Sequence, residues 1–189
     1  APATPPVSDR ALVVGLEKAL AHWGDRYCPD HVIPSPDDRV YFVSRAASLL
    51  ASSSWEQRNL GVKLLGLLHA RERLPLLVAL LADRRPAPLL QRLAGGDYVQ
   101  VGFIRRNVLM AFARIGIVTP RVEAAIVSSF GDPYYEARAE AARAAQALAP
   151  RLIDRPAVVQ GLRALLHDRW IEVAEAAAEA IGHIGGRGD

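Results

Sequence analysis

A helical pattern that repeats along the chain constrains the fold more than any other feature of the sequence. Residues 132–148 and 168–182 share an acidic start, an aromatic or apolar pair and a run of small apolar residues, at an offset of 36 positions. Arg58 and Arg105 fall at the register position of Arg138. A repeat of this length is typical of stacked helical hairpins. The sequence therefore predicts an all-α protein, a right-handed α-solenoid (an alpha-alpha superhelix).

Composition indicates a chain that folds without crosslinks. The 189 residues are 51% hydrophobic, which is enough for a substantial core, and Cys28 is the single cysteine. Apolar runs are shorter than the roughly 20 residues that a membrane-spanning helix needs. We therefore expect no membrane insertion and a cytoplasmic location.

The pattern divides the chain into three parts. Residues 1–7 are Pro-rich and are expected to be a linker, and residues 8–51 are expected to form N-terminal capping helices, the second of them starting at Arg39. Residues 52–189 are expected to hold the repeats. The last repeat has its first helix only, so we expect the chain to be a fragment of a longer one. Predicted repeat helices cover residues 54–69, 72–82, 99–115, 120–130, 134–148, 155–167 and 170–184.

An insertion interrupts the repeat at residues 84–97. Arg58 and Arg105 are separated by 47 positions, whereas Arg105 and Arg138 are separated by 33. The extra residues are expected to project between the first two hairpins as a short helical turn. Its three leucines, Leu89, Leu90 and Leu93, are expected to pack back on the body. Insertions in repeat proteins often lie at the binding surface.

The repeat grammar resembles the HEAT-repeat family, in particular the bacterial type first described in phycobilisome-lyase-like proteins. Residues 136–142 and 172–185 carry that resemblance. It implies HEAT-like helical hairpins with an Asp–Arg ladder between neighbouring repeats. Three departures make this ladder incomplete: Ala174 replaces an arginine, Ser52 replaces an aspartate, and Asp97 lies two positions out of register. Alanines at the helix centres should let hairpins approach closely, and Gly182 and Gly185 should end the last helix.

Some proteins with related repeats are bilin lyases, a metal-dependent hydroxylase or DNA glycosylases. The hydroxylase-like site needs His-Glu dipeptides, and no histidine in this chain precedes a glutamate. A glycosylase-like site needs a carboxylate among aromatic side chains over a basic groove. Asp97 beside Tyr98 is the nearest match to such a site.

Catalytic and metal-binding patterns do not occur in this sequence. No histidine has a second ligand at the i and i+4 spacing of a metal site, and no serine lies in a nucleophile-elbow motif. No Gly-rich loop follows a strand to bind phosphate. We therefore predict no catalytic residues, no metal, no cofactor and no enzymatic activity.

Arginine is concentrated in the centre of the chain. Residues 84–121 contain seven arginines against one acidic residue, Asp97. Arg105 occupies the ladder position and is expected to be structural. Clustered positive charge can attract an acidic protein segment or a nucleic acid. The candidate partner-binding residues are Arg84, Arg85, Arg92, Tyr98 and Arg106.

Aromatic residues mark the starts of the repeat helices. Trp55, Tyr134, Tyr135 and Trp170 are expected to cover the edge of the core, and a peptide-binding ridge is the alternative.

The sequence favours a non-catalytic scaffold for protein–protein interactions. Its partner, with an acidic segment, would bind the concave surface and a basic edge. Two alternatives stay open: nucleic-acid binding, including DNA-glycosylase-like binding through the arginine-rich centre, and a bilin lyase-like ligand carrier.

Overall fold

The computed structural model describes residues 36–85, 89–93 and 97–185, without the side chains of residues 36–38, 91–92 and 97–101. The predicted linker at residues 1–7 and the first capping helix lie outside this part of the chain.

The regular secondary structure of the described residues is entirely helical, which confirms the all-α prediction. Two short 3₁₀ turns, at Arg71–Arg73 and Ala149–Arg151, precede the third and eighth helices. The α-helices are α1 (Pro36–Leu49), α2 (Trp55–Leu67), α3 (Leu74–Leu80), α4 (Leu89–Leu93), α5 (Asp97–Ile115), α6 (Pro120–Ser129), α7 (Tyr135–Ala147), α8 (Arg155–Leu165) and α9 (Ile171–Gly185). Their bounds agree with the predicted repeat helices to within a few residues.

The helices form two layers. In the first layer α1 packs on α2, α2 on α5, α5 on α7, and α7 on α9. The second layer contains α3, α6 and α8, which contact α5, α7 and α9 respectively. Each second-layer helix therefore also packs on the first-layer helix that follows it, and α3 additionally contacts α6.

Local signals set the starts of several helices. The Ser54 hydroxyl accepts a hydrogen bond from the Gln57 amide at the start of α2, and Thr119 does the same for Val122 at the start of α6. Pro120 occupies the first turn of α6, where its missing N–H is not needed.

Alanine allows close packing between α7 and its neighbours. Ala137, Ala141, Ala144 and Ala145 are fully buried, and Ala177 is fully buried on α9. Small side chains let helix axes approach, so the expectation for the alanine-rich helix centres is confirmed.

Two expectations about apolar and glycine positions are wrong. The insertion does form a helical turn, α4, but Leu89, Leu90 and Leu93 are 67%, 81% and 77% exposed and do not pack on the body. A helix of five residues presents too few side chains to the core to bury all three leucines. Gly182 does not end its helix, because α9 continues to Gly185.

Among the described helices, none combines the length and the apolar character required to cross a lipid bilayer.

Candidate binding groove

An arginine–aspartate ladder joins neighbouring first-layer helices and explains one arginine of the central cluster. Arg105 donates from Nε and Nη2 to the Asp132 carboxylate at 2.6 and 2.8 Å. Arg138 binds Asp168 in the same bidentate way, at 2.6 and 2.9 Å. All four side chains are at most 12% exposed. The structural role predicted for Arg105 is confirmed.

The first rung uses an aspartate that the sequence reading missed. Arg58 is fully buried and donates from Nε to Asp83 at 2.7 Å. Asp83 therefore holds the position that the repeat register assigned to Asp97. The insertion follows Asp83 directly in the sequence. A search for an aspartate before the insertion, about 25 to 30 positions after each ladder arginine, would have found it.

The pKa values of both Asp83 and Arg58 are lowered in this ion pair. Burial raises the pKa of Asp83, but hydrogen bonds from Arg85 and the positive charges of Arg58 and Arg85 outweigh it and hold that pKa below its usual value. Desolvation lowers the pKa of Arg58, and the charge of Asp83 offsets part of that effect. Both groups remain charged near neutral pH.

Arg106 is not available to a partner, and its prediction as a binding residue is wrong. Its side chain is 3% exposed and pairs with Glu136. The guanidinium also lies 4.9 Å from the centre of the Phe103 ring, in a cation–π geometry. Adjacent arginines on α5 thus both point inward, one to Asp132 and one to Glu136.

Arg84 and Arg85 remain at the surface, beyond the end of α3. Arg85 is 45% exposed and forms an ion pair with Asp83, at 3.0 Å from Nε. Its guanidinium also donates hydrogen bonds to the carbonyls of Leu50 and Ser52. Arg84 is exposed and donates Nη1 to the Leu81 and Asp83 carbonyls. Arg84, unlike Arg85, forms no ion pair with the described residues. The side chains of Arg92 and Tyr98 lie outside the described part of the structure.

A groove runs between α3 and α6 in the second layer. At the N-terminal ends of the two helices it forms a cavity of about 590 Å³. A second cavity of about 410 Å³ follows toward their C-terminal ends, and Val78 lines both. We call the two cavities together the α3/α6 groove. The first cavity is lined by Leu74, Pro75, Val78, Thr119, Pro120 and Val122 together with Arg71, Glu72 and Arg121.

Positive charge lies at both ends of the α3/α6 groove. Arg71 and Arg121 line the first cavity, and Arg84 lines the second. Among the described residues, no ion pair engages any of these three arginines. The two acidic residues that line the groove are already paired: Glu72 with Arg39 at 3.0 Å, and Asp132 with Arg105. The first cavity therefore has a mainly apolar lining, and arginines without ion pairs in the described part of the chain lie at both ends of the groove.

The sequence reading missed Arg71 as a member of this surface. Arg71 lies outside the arginine-rich window, in a region where basic and acidic residues are equal in number. Only the fold shows that Glu72 forms its ion pair with Arg39, which leaves Arg71 without an ion pair among the described residues. Arg121 belongs to the central arginine cluster but is not among the predicted binding residues. Arg121 lies in the first turn of α6, after the Thr119 cap, and Arg71 lies just before α3. This shared position at the start of a second-layer helix is the sequence signal that could have identified both arginines.

The aromatic residues form a row along the edge of the first layer. Ring centres are 6.5 Å apart for Trp55 and Phe103, 6.0 Å for Phe103 and Tyr134, and 4.3 Å for the stacked Tyr135 and Trp170. Trp55 and Tyr134 are buried, which confirms their position in the core. Trp170, 39% exposed, closes the row at its C-terminal end.

The described residues contain no group of three or more His, Cys, Asp or Glu side chains that could hold a metal ion. Comparison of the chain with protein-family models and with curated proteins returned no match.

Acid should weaken the ladder. A hydrogen bond from Arg138 holds the pKa of Asp168 below its usual value, which is about 3.9 in an unfolded chain. The stabilising effect of a depressed carboxylate pKa is fully present above the unfolded value and is lost as pH falls through the folded one. We therefore expect the free energy of unfolding to change little between pH 7 and pH 5 and to fall below about pH 4.

Urea unfolding of the wild type and of the Asp168→Asn variant across this range tests the pH prediction. The variant should be less stable at pH 7, and the difference should shrink toward pH 3 because asparagine does not titrate. A difference that stays constant down to pH 3 would rule out Asp168 as a contributor.

Proposed function

We propose that this chain is a right-handed α-solenoid of HEAT-like hairpins that serves as a non-catalytic scaffold for protein–protein interactions. The partner binds the face of the second-layer helices, along the α3/α6 groove and its basic edge. The repeated layer contacts and the three-rung ladder support the solenoid assignment, since both recur from unit to unit.

One observation carries the binding assignment: a groove with an apolar cavity at one end has arginines without ion pairs to the described residues at both ends, while its acidic neighbours are already paired. Burial of apolar surface supplies affinity, and uncompensated charge at the rim favours an acidic partner.

The central arginines give less support to nucleic-acid binding than the sequence suggested. Arg105 and Arg106 are buried in ion pairs, which leaves fewer cations to neutralise phosphates. This alternative is an outcome of the test below.

Capture of partners from source-cell lysate, with and without nuclease, tests the scaffold assignment. The bait proteins are the wild type, an Arg71→Glu/Arg121→Glu variant and an Arg45→Glu/Arg163→Glu control. The control makes the same change in net charge at exposed arginines that do not line the groove. Proteins captured by the wild type and the control after nuclease, but not by the groove variant, are expected. Partners that disappear with nuclease would favour nucleic-acid binding, and partners that the groove variant retains would contradict the assignment.

A further inference from the structure

We infer that the α3/α6 groove accepts an extended peptide segment that carries apolar side chains between two acidic ends. This inference rests on the proposed function and names the chemistry of the segment recognised there. The shape of the groove, its length and the placement of its arginines each contribute to it.

The width of the groove favours an extended segment over a helix. Helices that contact each other have axes about 8–10 Å apart, and α3 contacts α6. An α-helix with its side chains is about 10–12 Å across, so a third helix could not sink between them. Single side chains from an extended strand can enter the two cavities.

The lining of the first cavity favours apolar side chains. Leu74 and Val122 are buried and Val78 is half-buried, and all three line the first cavity. Pro75 and Pro120 add apolar surface and bring no backbone N–H, because the pyrrolidine ring closes on the nitrogen. Both prolines lie in the first turn of a helix, where this N–H is not needed. The first cavity therefore offers contact area to an aliphatic side chain and few hydrogen-bonding groups to a polar one.

The length of the groove sets the spacing of the acidic ends. Arg71 precedes α3 and Arg84 follows it, and the 3₁₀ turn, the helix and its last turn together span roughly 15–20 Å. An extended chain rises about 3.3 Å per residue, so about five residues separate the two ends. Arg71 and Arg121 together face one acidic end, and Arg84 faces the other.

Binding of synthetic peptides, followed by NMR shifts of the groove methyl groups and by fluorescence anisotropy, tests this inference. The probe has two acidic residues at each end and about five central residues that include leucines. We expect shifts at the methyl groups of Leu74, Val78 and Val122. Replacing the leucines by serine, or adding salt, should weaken binding at least tenfold. Equal binding of the leucine and serine peptides would overturn the inference.

A charge exchange makes the test specific for orientation. The Arg71→Glu/Arg121→Glu variant should lose at least tenfold in affinity for the acidic probe and regain it for a probe with lysines at one end. The Arg45→Glu/Arg163→Glu control should bind the original probe as the wild type does. Loss without recovery by the lysine probe would overturn the contact between these arginines and the acidic end.

The peptide experiment and the lysate experiment distinguish failure of the inference from failure of the proposed function. If no methyl shift occurs at millimolar probe while lysate capture still depends on Arg71 and Arg121, the extended segment is wrong and the scaffold assignment stands. If capture is independent of these arginines as well, the proposed function is wrong too.

Discussion

Replacing Asp132 by alanine should lower the free energy of unfolding by about 3–5 kcal/mol, because the Arg105 guanidinium would be left charged and buried without its partner. Arg105 is 2% exposed and makes both of its close contacts with this carboxylate. The Asp132 carboxylate also accepts a hydrogen bond from the Tyr134 amide at the start of α7, which the alanine would remove. Urea unfolding at neutral pH measures the loss.

The matched control for this rung is Glu72→Ala. Glu72 forms a bidentate pair with Arg39, but the two side chains are 42% and 35% exposed. Water compensates for the loss of an exposed pair, so we expect a change of about 0–1 kcal/mol. Equal losses in the two variants would show that burial does not determine the strength of the ladder.

Alanine at Gly102 should destabilise the protein by about 1–3 kcal/mol, whereas alanine at Gly182 should stabilise it by about 0.5–1 kcal/mol. A Cβ at Gly102 would lie 2.5 Å from Cγ of the buried Tyr134 ring, which has little room to move. A Cβ at Gly182 meets nothing within 4 Å. The Gly182 variant therefore gains the helix propensity of alanine without a clash.

Thermal and urea unfolding of the two glycine variants measure both effects. The opposite signs provide the control, since the chemical change is the same and both positions lie inside helices. Stabilisation by Gly102→Ala would mean that α5 and α7 are further apart than described. Destabilisation by Gly182→Ala would mean that another surface covers α9.

Helix positions and the ladder arginines could be predicted because they depend on local pattern. The repeat pattern places Arg58, Arg105 and Arg138 at equivalent points of successive first-layer helices, although their spacings differ. Their aspartates are harder to find, because an aspartate reaches its arginine across a turn of variable length. The insertion after Asp83 moved the pattern match to Asp97.

The binding surface could not be predicted because pairing in space, not density along the chain, decides which charges are free. Arg105 and Arg106 lie in the densest basic segment and are buried in ion pairs. Arg71 lies in an electrically balanced segment and is free, since Arg39 takes up its acidic neighbour Glu72. Arg71 and Arg121 are 50 positions apart in sequence, and only the packing of α3 beside α6 places them in one cavity.

The two layers should respond differently to a bending force. Ion pairs such as Arg105–Asp132 and the aromatic row join successive first-layer helices, so this side of the molecule resists extension. On the opposite side, the α3/α6 groove lies between two helices that no ion pair of the described residues joins. We expect the molecule to bend mainly by movement of the second-layer helices relative to one another, while the first-layer helices keep their spacing. Changes in curvature would then widen or narrow the groove while the ladder keeps its length.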